Sequence, residues 1–222
     1  MAARSRALTA PHVFRPGSHS PVRVVVLASG TGSLLQSLIS AAVDDYPARV
    51  VAVGVDRDCA AIGHAEAAGI PAFRVALGDY PDRDAWDRAL TAAVDGHRPD
   101  LIVSAGFMKI LGAEFMTRFG GRIINTHPAL LPSFPGAHAV PDALAYGVKV
   151  TGSTVHLVDS GVDTGPVLAQ EPVVVLEDDD ESSLHERIKT VERRLLVDVI
   201  AAVATRGVVS DGRKAVIPSD RT

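Results

Sequence analysis

Asn125, Thr126 and His127 follow the apolar pair Ile123 and Ile124, and Pro128, Pro132 and Pro135 come directly after them. An amide is a neutral hydrogen-bond donor, and an imidazole can give or take a proton near neutral pH. Proline fixes φ and lacks a backbone donor, so the stretch from Pro128 to Pro135 is neither a central strand nor a helix interior. Pro128 also biases His127 toward extended backbone. The pattern predicts a strand that ends by presenting Asn125 and His127 into a cleft, with a stiff loop as one wall.

Three other stretches carry chemistry. Val22 to Ala28 is a nearly continuous β-branched run, the mark of a strand covered on both faces of a parallel sheet. Ser29, Gly30, Thr31, Gly32 and Ser33 follow, and then Leu34, Leu35, Leu38 and Ile39 recur at helical spacing. A strand, a glycine turn and a helix N-terminus make an anion seat, because free N–H groups and the helix dipole both favour a phosphate. The dinucleotide fingerprint wants a third glycine where Leu35 stands, and the lysine of a P-loop is absent, so a monophosphate fits better. Gly106 to Leu111 is apolar where a sheet edge should be, and Met108 and Ile110 could form a slot for a planar aromatic ligand. Asp159 to Pro166 is a tight loop that holds Asp163.

Alternating strands and helices must position these stretches. Arg49 to Val55 reads as a strand, and Ala60 to Ala68 as a helix closed by Gly69. Pro71 to Val75 is a short strand, Asp82 to Val94 a helix with Trp86, Leu90 and Val94 on one face, and Leu101 to Ala105 a buried strand. Asp142 to Tyr146 is a short helix, and Val150 to Val158 an alternating strand with His156 as a hydrogen-bonded core residue. Pro172 interrupts the strand Val167 to Leu176, which places it at an edge. Acidic residues Asp178 to Glu181 cap a long helix over Ser182 to Ala204. His64 and His97 read as solvent-facing. The result is an α/β, Rossmann-like fold: a mostly parallel twisted sheet flanked by helices, with an antiparallel C-terminal portion. Residues 1–20 read as a mobile extension, 21–207 as one domain and 208–222 as a tail. In such a sheet ligands bind beyond the carboxyl ends of the strands, so the four stretches can surround one cleft.

Composition narrows the classes. The 222 residues carry a net charge of −4, 47 % hydrophobic and 22 % charged residues, with no cationic stripe. That argues against nucleic acid as a partner. No apolar run reaches the roughly 18 residues that span a bilayer, and residues 1–20 lack the apolar core of a secretory signal. A single cysteine, Cys59, excludes an internal disulfide and offers no metal cluster, which suits a cytoplasmic setting.

VVLASGTGSLLQSLI (25–39), AGFMKIL (105–111), INTHPALLPSFPGAHA (124–139) and GSTVHLVDSGVDTGPVLAQ (152–170) together resemble the glycinamide ribonucleotide formyltransferases of purine biosynthesis. The likeness spans about residues 22–205. It implies transfer of the formyl group of 10-formyltetrahydrofolate to the amine of glycinamide ribonucleotide, with no metal required. It implies Asn125, His127 and Asp163 as the catalytic set. Gly30, Thr31, Gly32 and Ser33 then bind the ribonucleotide phosphate, with Lys189 and Glu192 closing over the same substrate. Arg83, Met108, Lys109, Ile110 and Leu111 are implied on the folate side, opposite Asp159, Ser160, Gly161, Val162 and Asp163, with Asn125 between. A homodimer is left open. Val140, Pro141 and Asp142 stand where the family often has a histidine and a polar pair, which leaves His138 without a catalytic role, and Ser133 replaces a common basic residue.

The residue types suit that chemistry. An amine attacking a formyl carbon creates an oxyanion and must shed a proton; Asn125 and His127 can donate to the first, and Asp163 can orient His127 and accept the second. The nearest alternative is formyltetrahydrofolate hydrolysis, with water as acceptor. Methionyl-tRNA formyltransferase shares the INTHPALLP region, but acidic balance fits tRNA poorly. An NAD-dependent oxidoreductase using Asp56, a metal hydrolase using His127, His138 and His156, and a non-catalytic nucleotide-binding module are the readings from other classes.

Overall fold

Side chains on both faces of Val22–Ala28 are buried because the strand lies in the interior of a ten-stranded sheet. In this computed structural model, which describes residues 12–17 and 21–219, the chain runs β1 (His12–Phe14), β2 (Val22–Ala28), α1 (Ser33–Ala41), β3 (Ala48–Val55), α2 (Ala60–Ala67), β4 (Ala72–Arg74), α3 (Arg83–Gly96), β5 (Leu101–Ser104), α4 (Ala113–Phe119), β6 (Ile123–His127), α5 (Ala139–Tyr146), β7 (Val150–Leu157), β8 (Val167–Val174), α6 (Glu181–Arg206), β9 (Val208–Asp211) and β10 (Lys214–Val216). The strand order is β1-β9-β10-β8-β7-β6-β5-β2-β3-β4. Strands β4, β3, β2, β5 and β6 are parallel, and β7 and β8 continue the sheet antiparallel, the mixed architecture that the sequence predicts.

The alternation along β2 divides the core in two. Val24, Val26 and Ala28 pack with Leu35, Leu38, Leu196 and Ile200 of α1 and α6. Val25 and Leu27 pack with Trp86, Leu90, Phe115 and Phe119 of α3 and α4. A strand covered on both sides needs apolar residues at every position, and each such side chain contributes about 1.5–3 kcal/mol when fully buried. From β2 the chain moves outward to β3 and β4, then returns to lay β5 on the other flank of β2. That reversal opens a crevice at the carboxyl ends of β2 and β5, where open α/β sheets take their ligands.

Three regions differ from expectation, and α4 is a helix that the sequence reading does not anticipate. α4 has no local capping residue, since Gly112 stands at its N-cap. Its first amides are instead taken by Asp87 of α3, whose carboxylate accepts from Gly112, Glu114 and Phe115 at 3.0, 2.8 and 3.4 Å. α5 begins at Ala139, earlier than expected, with Pro141 in its first turn, where no intrahelical N–H is needed. The tail over 208–222 supplies β9 and β10, and His12–Phe14 pairs antiparallel with β9. Such three- and four-residue strands carry little periodicity and form only against a partner. The remaining parts of the expected extension and tail, 1–11, 18–20 and 220–222, lie outside the described residues. β10 meets β8 at Lys214↔Val167, so beyond that pair β8 is an edge among the described residues, and Pro172 falls in this stretch as expected.

Candidate functional site

The glycine turn after β2 has the geometry that can seat an anion. Gly32 adopts φ 72° at the N-cap of α1, and a Cβ there would lie 2.9 Å from Ala61 Cα, so both backbone and space demand glycine. No side chain caps α1, which leaves its first-turn amides and the positive end of its dipole for a ligand. His64 of α2 sits 3.1 Å from the Thr31 carbonyl. It braces the turn while staying partly exposed, and His97, also partly exposed, stacks on Phe73 with ring centroids 5.3 Å apart.

The turn lines a cavity of about 600 Å³, within the range of small-molecule sites. Gly30–Ser33, Met108–Leu111, Asn125, His127, Asp159, Gly161, Val162, Asp163, Lys189 and Glu192 all line it. Met108 and Ile110 are each 60 % exposed and Val162 50 %. Uncovered apolar side chains around a cavity mark a binding surface rather than core. Two of the expected site residues stand apart. Arg83 does not reach the lining; it donates to the Ile110 carbonyl and lies over the Trp86 ring, 5.6 Å from its centroid. Ser160 is exposed in its loop and also outside the lining.

In the cavity lining the register of β6 against β7 sets Asn125 opposite His156. His156 Nδ1 is 2.9 Å from the Leu157 carbonyl, and Asn125 Nδ2 is 3.2 Å from His156 Nε2. If Nδ1–H donates to that carbonyl, the bare Nε2 accepts from the amide and fixes its orientation, with one amide N–H left for a ligand. Burial pushes the His156 pKa down, against the opposing pull of the Leu157 carbonyl and Asp163, so the ring is held neutral. His156 is the hydrogen-bonded core residue that the sequence predicts, 2 % exposed; that it also lines the cavity follows from strand register, which residue types do not carry.

Asp163 lies between the two histidines, its Oδ2 3.3 Å from His127 Nδ1 and its Oδ1 3.7 Å from His156 Nε2. The Gly136 amide donates to Oδ2 at 2.7 Å. The loop presses against β7 so closely that a Cβ on Gly165 would fall 1.7 Å from the Leu157 carbonyl. Asp163 itself sits at φ 53°, a region that aspartate tolerates better than most residues. His127 Nε2 is 2.7 Å from the Phe134 carbonyl. Both its ring nitrogens therefore face oxygen, and only the doubly protonated ring donates to both.

α6 brings the last wall. Asp180 and Ser183 form a reciprocal capping box, and Arg187 pairs with Asp179. The positions of His185, Lys189 and Glu192, four and three residues apart, share one helical face, and all three line the cavity. His185 was not expected there. Burial and then Lys189 push its pKa down. Glu192 is buried, which pushes its carboxyl up against the pull of Thr126, Lys189 and Arg193. Lys189 Nζ is 2.8 Å from Glu186.

The residues singled out by other readings are placed differently. Asp56, the ribose-binding acid of a dinucleotide reading, is buried and paired with Arg57 and Lys109. His138 is exposed at the start of α5. Among the described residues no group of three or more His, Cys, Asp or Glu side chains could hold a metal ion, and no helix is long and apolar enough to cross a membrane.

The family model described as formyl transferase matches residues 22–200. The phosphoribosylglycinamide formyltransferase of Mycobacterium tuberculosis is 68 % identical over 196 residues, 88 % of this chain and 91 % of that protein. The enzyme of the same name from Bacillus subtilis is 36 % identical over 195 residues, 87 % of this chain and 99 % of that protein. Among solved structures, glycinamide ribonucleotide transformylase 1 from Symbiobacterium toebii aligns with a TM-score of 0.87 at 39 % identity, covering 89 % of this chain and 94 % of that one.

Proposed function

The chain belongs to the formyl transferase family, and on that footing we propose that it transfers the formyl group of 10-formyltetrahydrofolate to the amine of 5′-phosphoribosylglycinamide. The products are formylglycinamide ribonucleotide and tetrahydrofolate, in purine biosynthesis. The observation that carries the reading is one cavity lined together by the turn at an uncapped helix N-terminus, by exposed apolar side chains, and by Asn125, His127 and Asp163.

The ribonucleotide phosphate takes the amides of the Gly30–Ser33 turn, with Lys189 near it and Glu192 accepting from the glycinamide. The folate ring lies along Met108–Leu111 and faces the Asp159–Asp163 loop. The amine nitrogen attacks the formyl carbon and the carbonyl becomes an oxyanion. Asn125, its amide turned by His156, donates to that oxygen, joined by an N–H of His127 as the substrate displaces its bond to the Phe134 carbonyl or to Asp163, and a preorganised donor of this kind is typically worth about 10² to 10³ in turnover. The bond from carbon to N10 of the folate then breaks. The amine gives up one proton and N10 takes one, so the transfer is proton-neutral overall, and Asp163 is the carboxylate that accepts the first, directly or through water. A cytoplasmic setting belongs to the same proposal.

The test is the absorbance change of 10-formyltetrahydrofolate with purified protein, with and without the ribonucleotide. Deformylation that requires the ribonucleotide is expected. Equal deformylation without it would replace transfer by hydrolysis, and no reaction in either case would reduce the site to a binding module.

A further inference from the structure

Asp56 follows β3, is 4 % exposed, and has no part in the scheme above. Three groups hold its carboxylate. Arg57 donates from Nη2 at 2.8 Å and from Nε at 3.2 Å, Lys109 Nζ lies 3.3 Å away, and the Ser29 hydroxyl completes the set. Burial raises the carboxyl pKa, but the donors together outweigh it and hold the group below the usual carboxylate range. The Ser29 hydroxyl accepts the Met108 amide at 2.9 Å, which leaves its own hydrogen for Asp56, whose carboxyl pKa it helps to lower, and the Ser29 amide donates to the Gly106 carbonyl at 3.2 Å.

These bonds join two walls of the cavity. Ser29 opens the turn that seats an anion, and Met108 and Lys109 belong to the exposed apolar wall. The far end of that wall is tied to α3, where Arg83 donates to the Ile110 carbonyl and Asp87 takes the amides at the start of α4. The segment is thus pinned at both ends by buried carboxylates. Asp56 is the one that links it to the other substrate's seat.

We propose, resting on the transferase reading above, that Asp56 is a positioning residue: through Ser29 and Lys109 it sets the donor-binding wall, Met108 to Leu111, against the turn that binds the ribonucleotide. Its position after the second strand is that of a ribose-binding acid, but its carboxylate is turned inward and acts on the protein's own loop.

The experiment compares the full chain with Asp56→Asn, Lys109→Met, the double variant and Ser29→Ala. It reads kcat, KM for each substrate, and hydrogen exchange at the Met108 amide. Asp56→Asn should raise KM for 10-formyltetrahydrofolate about tenfold, the size of one charge-assisted hydrogen bond, with KM for the ribonucleotide changed by less than about threefold. Exchange at Met108 should quicken, and Lys109→Met should cost less in the Asp56→Asn background than in the wild type. Unchanged KM for the folate with unchanged exchange at Met108 would overturn the proposal. An equal rise in both KM values, with a matching fall in Tm, would overturn it as well, because that is the mark of a merely structural role. If Asp56→Asn does not fold, Ser29→Ala removes only the hydroxyl bridge, and the same split of KM values decides. A wild-type chain without ribonucleotide-dependent transfer would count against the transferase reading, and exchange at Met108 would still decide the role of Asp56.

Discussion

Replacing Asp163 by asparagine removes one charge from the cavity lining and little else. Oδ2 is 3.3 Å from His127 Nδ1, and the carboxylate is 12 % exposed. Loss of a positioned base costs about 10² to 10⁴ in rate, or about 3–5 kcal/mol. On that scale kcat should drop about 10³-fold with KM for the ribonucleotide nearly unchanged. Asparagine keeps an oxygen for the Gly136 amide, now bonded at 2.7 Å, and tolerates the φ of 53°. Tm should therefore fall by no more than about 2–4 °C, the equivalent of 1 kcal/mol in a chain of this size. The assay is formyl-folate conversion at saturating ribonucleotide, beside a thermal melt. A folded variant with more than about a tenth of wild-type turnover would refute the assignment of the proton to Asp163.

Asn125→Ala should lose about 10² to 10³ in kcat with little change in Tm, because it deletes an oxyanion donor and opens little space; near-normal turnover would remove Asn125 from the mechanism. Gly165→Ala should lower kcat by about 10², since its Cβ would push the Asp163 loop off the Leu157 carbonyl and small misplacements near the chemistry are costly; unchanged kinetics would show that the loop relaxes freely. Trp86 is fully buried and donates to the Val75 carbonyl at 3.0 Å, so Trp86→Ala should cost about 3–5 kcal/mol in denaturant titration. Burial holds His156 below its ordinary pKa of 6.5. Below about pH 6.5 the unfolded chain therefore binds a proton that the folded ring refuses, and stability should fall with acidification by up to about 1.4 kcal/mol per pH unit. Melts from about pH 8 to 5.5 should slope less in His156→Gln, and parallel slopes would refute this source of the acid sensitivity.

Much of the site was legible because its parts are local. The prolines after His127 mark a strand end, Gly30 and Gly32 mark a turn before a helix, and Lys189 and Glu192 share a helical face with a spacing that any helix would impose. Arg83 and Ser160 illustrate the opposite case. Their positions in the chain match a likeness, but whether a side chain lines a cavity depends on what packs around it, and Arg83 bonds to the Ile110 carbonyl instead.

By itself the sequence determined the strands and most helices of the parallel half, α4 excepted, together with the amphipathic course of α6 and the strand-end location of Asn125 and His127. Those features arise from period, turn chemistry and caps, which act over a few residues. Only the tertiary structure decided that His156 stands opposite Asn125, that Asp163 sits between two histidines, that Asp87 caps a helix it does not belong to, and that Asp56 holds Lys109. Each of these is a contact between segments far apart in the chain. It depends on strand register and on which helix covers which face, and both follow from the summed packing of the whole sheet rather than from any local pattern.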